Sequence, residues 1–386
     1  MRMRSLHTGL CSRMIFSMRG IWNTIRWAKT ECEERSRWPR SKIAVGDDWH
    51  AVTSNVHRLL SPLLLIWVAL AVTLTIRVAA AATDVWFSPL DPVWRKIHRW
   101  QANDFMQLFM PDSPWKIAAR GIKAFELFKK FAEQGTDADL QLIIRDLARR
   151  RIDLAVSATP LIASQACGIG VESYGPPHDM AALAARVKRL GGSIAFVVLD
   201  EPLYFGHQFN GRPMRAYETY PQTACHAPIA DLARQAATKM AELHSVFPEA
   251  KVGEVEPIGP PPANSANDLA DWLAAYQAAS GAPFAFVDLD IVWPQPSWPI
   301  QFDAAVAAIQ KAGIPLGVIY NGSATDQSDS AWIGSAKAHI QIIESKLRTK
   351  PDRAIFQSWS EHPQQILPET APDTFTGLVK LYVDRN

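Results

Sequence analysis

Cysteine is scarce in this chain of 386 residues: four occur, at Cys11, Cys32, Cys167 and Cys225. None sits in the paired spacing of a zinc ribbon, so a zinc module of that kind is excluded. The histidines show no H-x-H or other tight ligand spacing. No G-x-S-x-G is present, which removes a serine nucleophile elbow. A P-loop is also missing, and no glycine-rich phosphate fingerprint comes after the first strand. These absences predict no cofactor and no resident metal.

An excess of charge of one sign is lacking too. Net charge is +2. Residues 1–82 carry 12 of the 40 Lys and Arg but only 5 of the 38 Asp and Glu, which leaves 28 basic and 33 acidic residues, a balance of −5, in the rest. A mildly acidic body gives no electrostatic reason to expect nucleic acid as a partner.

The charge-free apolar stretch from Leu63 to Ile76 has 14 residues. A membrane span needs about 20. His57 and Arg58 precede the stretch and Ala79 to Ala82 come after it. A basic flank, a short apolar run and an A-x-A site make residues 56–82 a signal peptide, or alternatively a membrane anchor. The only membrane association expected is through this segment. Residues 1–55 are basic, without period or turn logic. They read as a disordered extension or as a start placed too early, with Val56 as the initiator if its codon is GTG. The remainder, 83–386, reads as one domain, periplasmic or secreted, or held at the membrane facing outward. In an oxidising compartment Cys167 and Cys225 form a candidate disulfide; as lone residues they would be buried hydrophobes.

Beyond Thr83, short β-rich runs alternate with longer helical ones. Strands are expected at Val85–Ser88, Lys123–Phe128, Asp153–Ser157, Ile194–Asp200, Lys251–Glu256, Phe284–Asp290, Leu316–Tyr320 and Ala354–Trp359. Helices are expected at Asp137–Arg150 capped by Thr136, Asp179–Leu190, Asn267–Ala279, Phe302–Ala312, Ser330–Leu347 and Thr374–Val383. Eight strand–helix units predict an α/β fold, a single (β/α)8 TIM barrel, over an open doubly wound sheet.

In such a barrel, chemistry sits where the strands end. The fourth strand ends Asp200-Glu201-Pro202. Alternation puts Glu201 in phase with Ala195, Val197 and Leu199, hence into the mouth, with Asp200 turned away. Glu254 and Glu256 share one face of the fifth strand, and Asp288 and Asp290 one face of the sixth. Glu172 lies in the loop after the third. Carboxylates gathered in a cleft raise one another's pKa, which suits general acid catalysis. Glu201, Glu256, Asp288 and Asp290 are therefore the catalytic candidates. Trp86, Tyr204, Trp293 and Trp359 offer flat faces for sugar rings. With Glu172, His207, Glu254 and Asn321 they complete the expected substrate-binding set.

Asp200-Glu201-Pro202 resembles the Asn-Glu-Pro that ends the fourth strand in the largest clan of retaining (β/α)8 glycoside hydrolases. Trp359 resembles that clan's platform tryptophan. The resemblance implies that Glu201 is the acid/base and that the partner is a carbohydrate. The clan's nucleophile, a Glu ending the seventh strand, is replaced here by Tyr320-Asn321-Gly322. Three readings stand. The first is an exported glycosidase using paired carboxylates on a polysaccharide or oligosaccharide. The second is a carbohydrate-binding barrel without catalysis. The third is a metal-dependent sugar isomerase or hydrolase, with Glu201, Glu256, Asp288, Asp290 and His207 as ligands.

Overall fold

The computed structural model describes residues 82–211, 223–259 and 266–385. The extension and signal segment expected before residue 82 lie outside the described residues. Among the described residues no helix is long and apolar enough to cross a membrane.

Eight strands close on themselves, all parallel: β1 (Asp84–Ser88), β2 (Ile122–Leu127), β3 (Asp153–Ala158), β6 (Phe196–Asp200), β7 (Lys251–Ile258), β8 (Val287–Ile291), β9 (Leu316–Ile319) and β10 (Arg353–Gln357). β10 pairs with β1 from Asp84↔Arg353 to Ser88↔Gln357 and so seals the barrel. Two short strands, β4 (Leu161–Ile162) and β5 (Tyr174–Gly175), pair with each other in the loop after β3. All eight expected strands are present.

Helices run outside the strands, as the apolar stripes require. Asp137–Arg150 buries Leu140, Ile143, Ile144 and Leu147. The Thr136 side chain caps it by accepting from the Asp139 N–H at 3.1 Å. The expected helix Ser330–Leu347 is divided into Asp329–Ile340 and a wider turn, Gln341–Lys346. Among the described residues four α-helices are additional to those expected: Pro92–Ile97, Lys116–Gly121, Lys129–Gln134 and Ile229–His244. The last has a legible stripe in Leu232, Ala236, Met240 and Leu243. The first three have six residues each, too few to show a period.

The inside of the barrel has its own small core. Trp86, Ala124, Ala155, Val198, Val255, Phe286, Ile319 and Ile355 pack there, with Phe196 against them. Trp86 meets Phe196 at 4.9 Å and Phe286 at 5.3 Å between ring centres. These rings need small neighbours. A Cβ on Gly253 would collide with the Phe286 ring. Val197 and Leu199 belong instead to the larger core between strands and helices.

Candidate functional site

The inward positions of β6 are Phe196 and Val198, so Asp200, in phase with them, is the residue that alternation sends into the mouth. The expected phase was the reverse. Glu201 nevertheless faces the same cleft, because its φ of 51° turns the chain out of the strand. Its N–H still donates to the Val255 carbonyl at 3.1 Å. A left-handed residue other than glycine costs about 1 kcal/mol or more, and such strain gathers at functional sites. Both Asp200 and Glu201 therefore line one cleft of about 1110 Å³ at the C-terminal ends of the strands.

Asp290, at the end of β8, lines the same cleft. It accepts from Asn321 Nδ2 at 3.1 Å. Asn321 Oδ1 accepts in turn from Trp293 Nε1 at 2.8 Å, and Trp293 stacks on His339 at 3.7 Å. Asn321 and Trp293 thus brace Asp290. Glu172 and Trp359 line the wall of the same cleft.

Other candidates are placed elsewhere. Val255 takes the inward position on β7, so Glu254 and Glu256 point outward, under the helices. Glu254 accepts from Trp272 Nε1, and burial, with Glu256 next to it, holds its pKa well above the carboxylate range. Glu256 accepts from the Leu203 and Tyr204 N–H groups at 2.7 and 3.1 Å. It caps the turn that carries Glu201, and burial pushes its pKa up to about 8. Asp288 does face inward, but below the cleft, where it is paired with Arg353. The Arg353 guanidinium also lies over Phe286 at 3.6 Å and Trp86 at 5.0 Å. Burial raises the Asp288 pKa to about 6 even though Arg353 lowers it. Trp86 is part of the inner core and does not line the cleft. Tyr204 packs in an aromatic cluster with Phe205 and Phe209. His207 Nδ1 bonds the Ala227 carbonyl at 2.8 Å. These placements do not gather a metal shell: among the described residues no group of three or more His, Cys, Asp or Glu could hold an ion.

Glu126, Glu133 and Asp200 are acids on the cleft outside the expected set. Glu126 of β2 is in phase with inward-facing Ala124, is 4% exposed and lines the cleft floor. Burial, then Asp288 and Asp200 nearby, raise its pKa to about 8, against a smaller opposing effect of Arg353. Around the wall stand the rings of Trp94, Phe128 and Tyr174. Trp94 lies parallel to Phe128 within 7°, with centres 6.4 Å apart. The Cys167–Cys225 disulfide is present, with Cα atoms 5.2 Å apart. Cys167 is itself on the cleft, so the bridge ties the loop after β3 to the segment after β6 at the rim.

Solved structures that resemble this chain are (β/α)8-barrel enzymes of several kinds. A glycoside hydrolase family 10 endoxylanase from a sugarcane soil metagenome is 12% identical, with TM-score 0.36, over 61% of this chain and 66% of its own. The family 10 protein from Paenibacillus barcinonensis is 11% identical, with TM-score 0.43, over 72% and 84%. A 3-keto-D-glucoside 4-epimerase from E. coli is 9% identical, with TM-score 0.37, over 79% and 100%. No family model matches the sequence, and no curated protein does.

Proposed function

We propose that the chain is an exported glycoside hydrolase acting on a polysaccharide or oligosaccharide, with Glu201 as proton donor and Asp290 as the second carboxylate. One observation carries this reading: Glu201 and Asp290 come from strands far apart in sequence and line one cleft. Their strands, β6 and β8, lie on either side of β7. Adjacent strands are about 4.8 Å apart, so two intervals separate the backbones by about 10 Å. We propose an inverting pair, whose carboxyls stand about 6.5–9.5 Å apart with a water between them. Glu201 would give its proton to the glycosidic oxygen as the bond to the anomeric carbon breaks. Asp290, held by Asn321, would take a proton from the attacking water. Trp359 and Trp94 supply faces for sugar rings. Export is supported by the apolar run at Leu63–Ile76 and by the Cys167–Cys225 bridge, since disulfides persist in oxidising compartments.

The test is turnover on a panel of polysaccharides, read as new reducing ends, for wild type, Glu201→Gln and Asp290→Asn. General acid and base contributions are worth about 10²–10⁴-fold each. Each variant is expected to lose at least about 10² in rate while still binding the glycan. Full activity in Glu201→Gln would remove it from the acid role. A second reading is a carbohydrate-binding barrel without catalysis, favoured by Asn321 at the position of the clan's nucleophile. Wild-type protein that binds glycans and cleaves none would decide for it.

A further inference from the structure

We propose that the Cys167–Cys225 bridge is a redox latch on the cleft: closed, it holds the tip of the loop after β3 as a cleft wall, and a dithiol reductant opens it and releases that tip while the barrel stays folded. The loop runs from the end of β3 at Ala158 to Asp179, where the next helix starts. Its base is fixed to the body. Lys239, buried on the helix Ile229–His244, donates from Nζ to the carbonyls of Thr159 at 2.8 Å and Leu161 at 3.4 Å. On the same helix Gln235 Oε1 accepts from the Ile162 N–H at 3.0 Å. β4 and β5 then pair, and Val171 packs with Tyr204, Phe205 and Phe209. Between these anchors residues 164–170 form the tip. Gln165, Ala166, Cys167, Ile169 and Gly170 of that tip line the cleft.

The tip closes a turn of its own, with the Ser164 N–H donating to the Cys167 carbonyl at 2.9 Å, and Gly170 has a further interaction. Two ties join the tip to the segment before Ile229–His244. The Gly168 N–H donates to the Thr223 carbonyl at 3.0 Å, and the bridge joins Cys167 to Cys225. The far side is firm: the Ala227 N–H donates to the Gly206 carbonyl at 2.9 Å, and the Ala227 carbonyl is bonded by His207 Nδ1. A hydrogen bond is worth about 1 kcal/mol net, so the covalent tie is what raises the cost of local opening at the tip. The bridge is within reach of a reductant. Both cysteines are half-buried, Cys167 is on the cleft wall, and its Sγ lies 3.8 Å from the hydroxyl of exposed Ser164. Opening is thiol–disulfide exchange. A thiolate of the dithiol attacks Cys167 Sγ from the cleft side, the S–S bond breaks, and Cys225 leaves as a thiolate that takes up a proton. The second thiol of the reductant attacks the mixed disulfide, and Cys167 leaves in the same way. The bridge gains two electrons and two protons, and the reductant becomes a cyclic disulfide.

The test uses the full chain, folded, with dithiothreitol as the reductant. Alkylation of Cys167 and Cys225, read by peptide mass, reports opening, and hydrogen exchange reports order. The expected result is that both cysteines become alkylated while the barrel strands keep their protection. The peptide covering 164–170 should then exchange at least about ten-fold faster, and reoxidation should restore the slow rate. Cys225→Ser should show the fast rate without reductant and no response to it. A bridge that opens only as the barrel unfolds overturns the latch. So does a bridge that opens with exchange at 164–170 unchanged. Polysaccharide turnover gives the functional arm: kcat/KM should fall at least about ten-fold on reduction and recover on reoxidation. An unchanged kcat/KM overturns the control of the cleft. Wild-type protein that cleaves no glycan counts against the function proposed above, and hydrogen exchange then decides the latch by itself.

Discussion

Replacing Glu126 by Gln should stabilise the protein at high pH and leave it almost unchanged at low pH. Glu126 starts from an ordinary value of 4.5 and is carried to about 8 in the folded state. The sign comes from proton counting. Between those two values the folded state holds a proton that the unfolded state has released. Folding stability therefore falls as pH rises through that window, and the loss is complete above about 8. Each pH unit in the window is worth about 1.4 kcal/mol, so the ceiling is close to about 5 kcal/mol. Gln keeps the shape and cannot ionise, so the penalty disappears. Asp288, carried to about 6, titrates in both proteins, so the difference between them isolates Glu126 together with its coupling to Asp288. The assay is thermal unfolding of both proteins from about pH 5 to about pH 9. Their difference in stability should widen by at least about 2 kcal/mol, or about 4 °C in Tm. A difference that stays constant across the range would refute the reasoning. It would mean that the Glu126 carboxyl is solvated and titrates normally.

Further substitutions test the frame around the cleft. Gly317→Ala should destabilise by about 1–3 kcal/mol, as overpacking does, because its Cβ would collide with Asp288 Oδ1. Gly334→Ala, in the helix Asp329–Ile340 with nothing within 4 Å, should instead gain about 0.5–1 kcal/mol, and chemical denaturation of both variants reads the contrast. Cys167→Ser should lower stability by at most about 4 kcal/mol on the chain-entropy account of a 58-residue separation. An unchanged midpoint in denaturant would show that the bridge does not constrain the unfolded chain.

The strands are legible because each is a short β-rich run between turn signals, and eight such runs interleaved with helices have few ways to pack. The phase within a strand is not. In a barrel covered by helices both faces of a strand are buried, so polarity need not alternate. Phe196-Val197-Val198-Leu199 is apolar at every position and does not say whether Asp200 or Glu201 looks inward. The turn at Glu201 then brings both to the cleft, which alternation alone does not allow. Glu254 and Glu256 mislead for a related reason. A buried acid need not be at the mouth, since it can be satisfied beneath the helices by an indole N–H or by the backbone N–H groups of a turn.

Glu126 shows where a usable signal lies. In Lys123-Ala124-Phe125-Glu126-Leu127 it looks like one polar residue in a half-buried strand. The indication comes from other strands. Glycine inside a strand marks a place where something bulky or polar approaches closely. Gly253 makes room for Phe286, and Gly317 for the carboxyl of Asp288. Those two glycines identify the inward faces of β7 and β9. They agree with Val255 and Ile319 as the next inward residues and so push Glu254 and Glu256 outward. The small Ala124 and Ala155 mark the inward faces of β2 and β3 in the same way. Alternation from Ala124 then delivers Glu126 to the cleft. Small residues within the strands, more than the acids themselves, carry the information about which carboxyls meet.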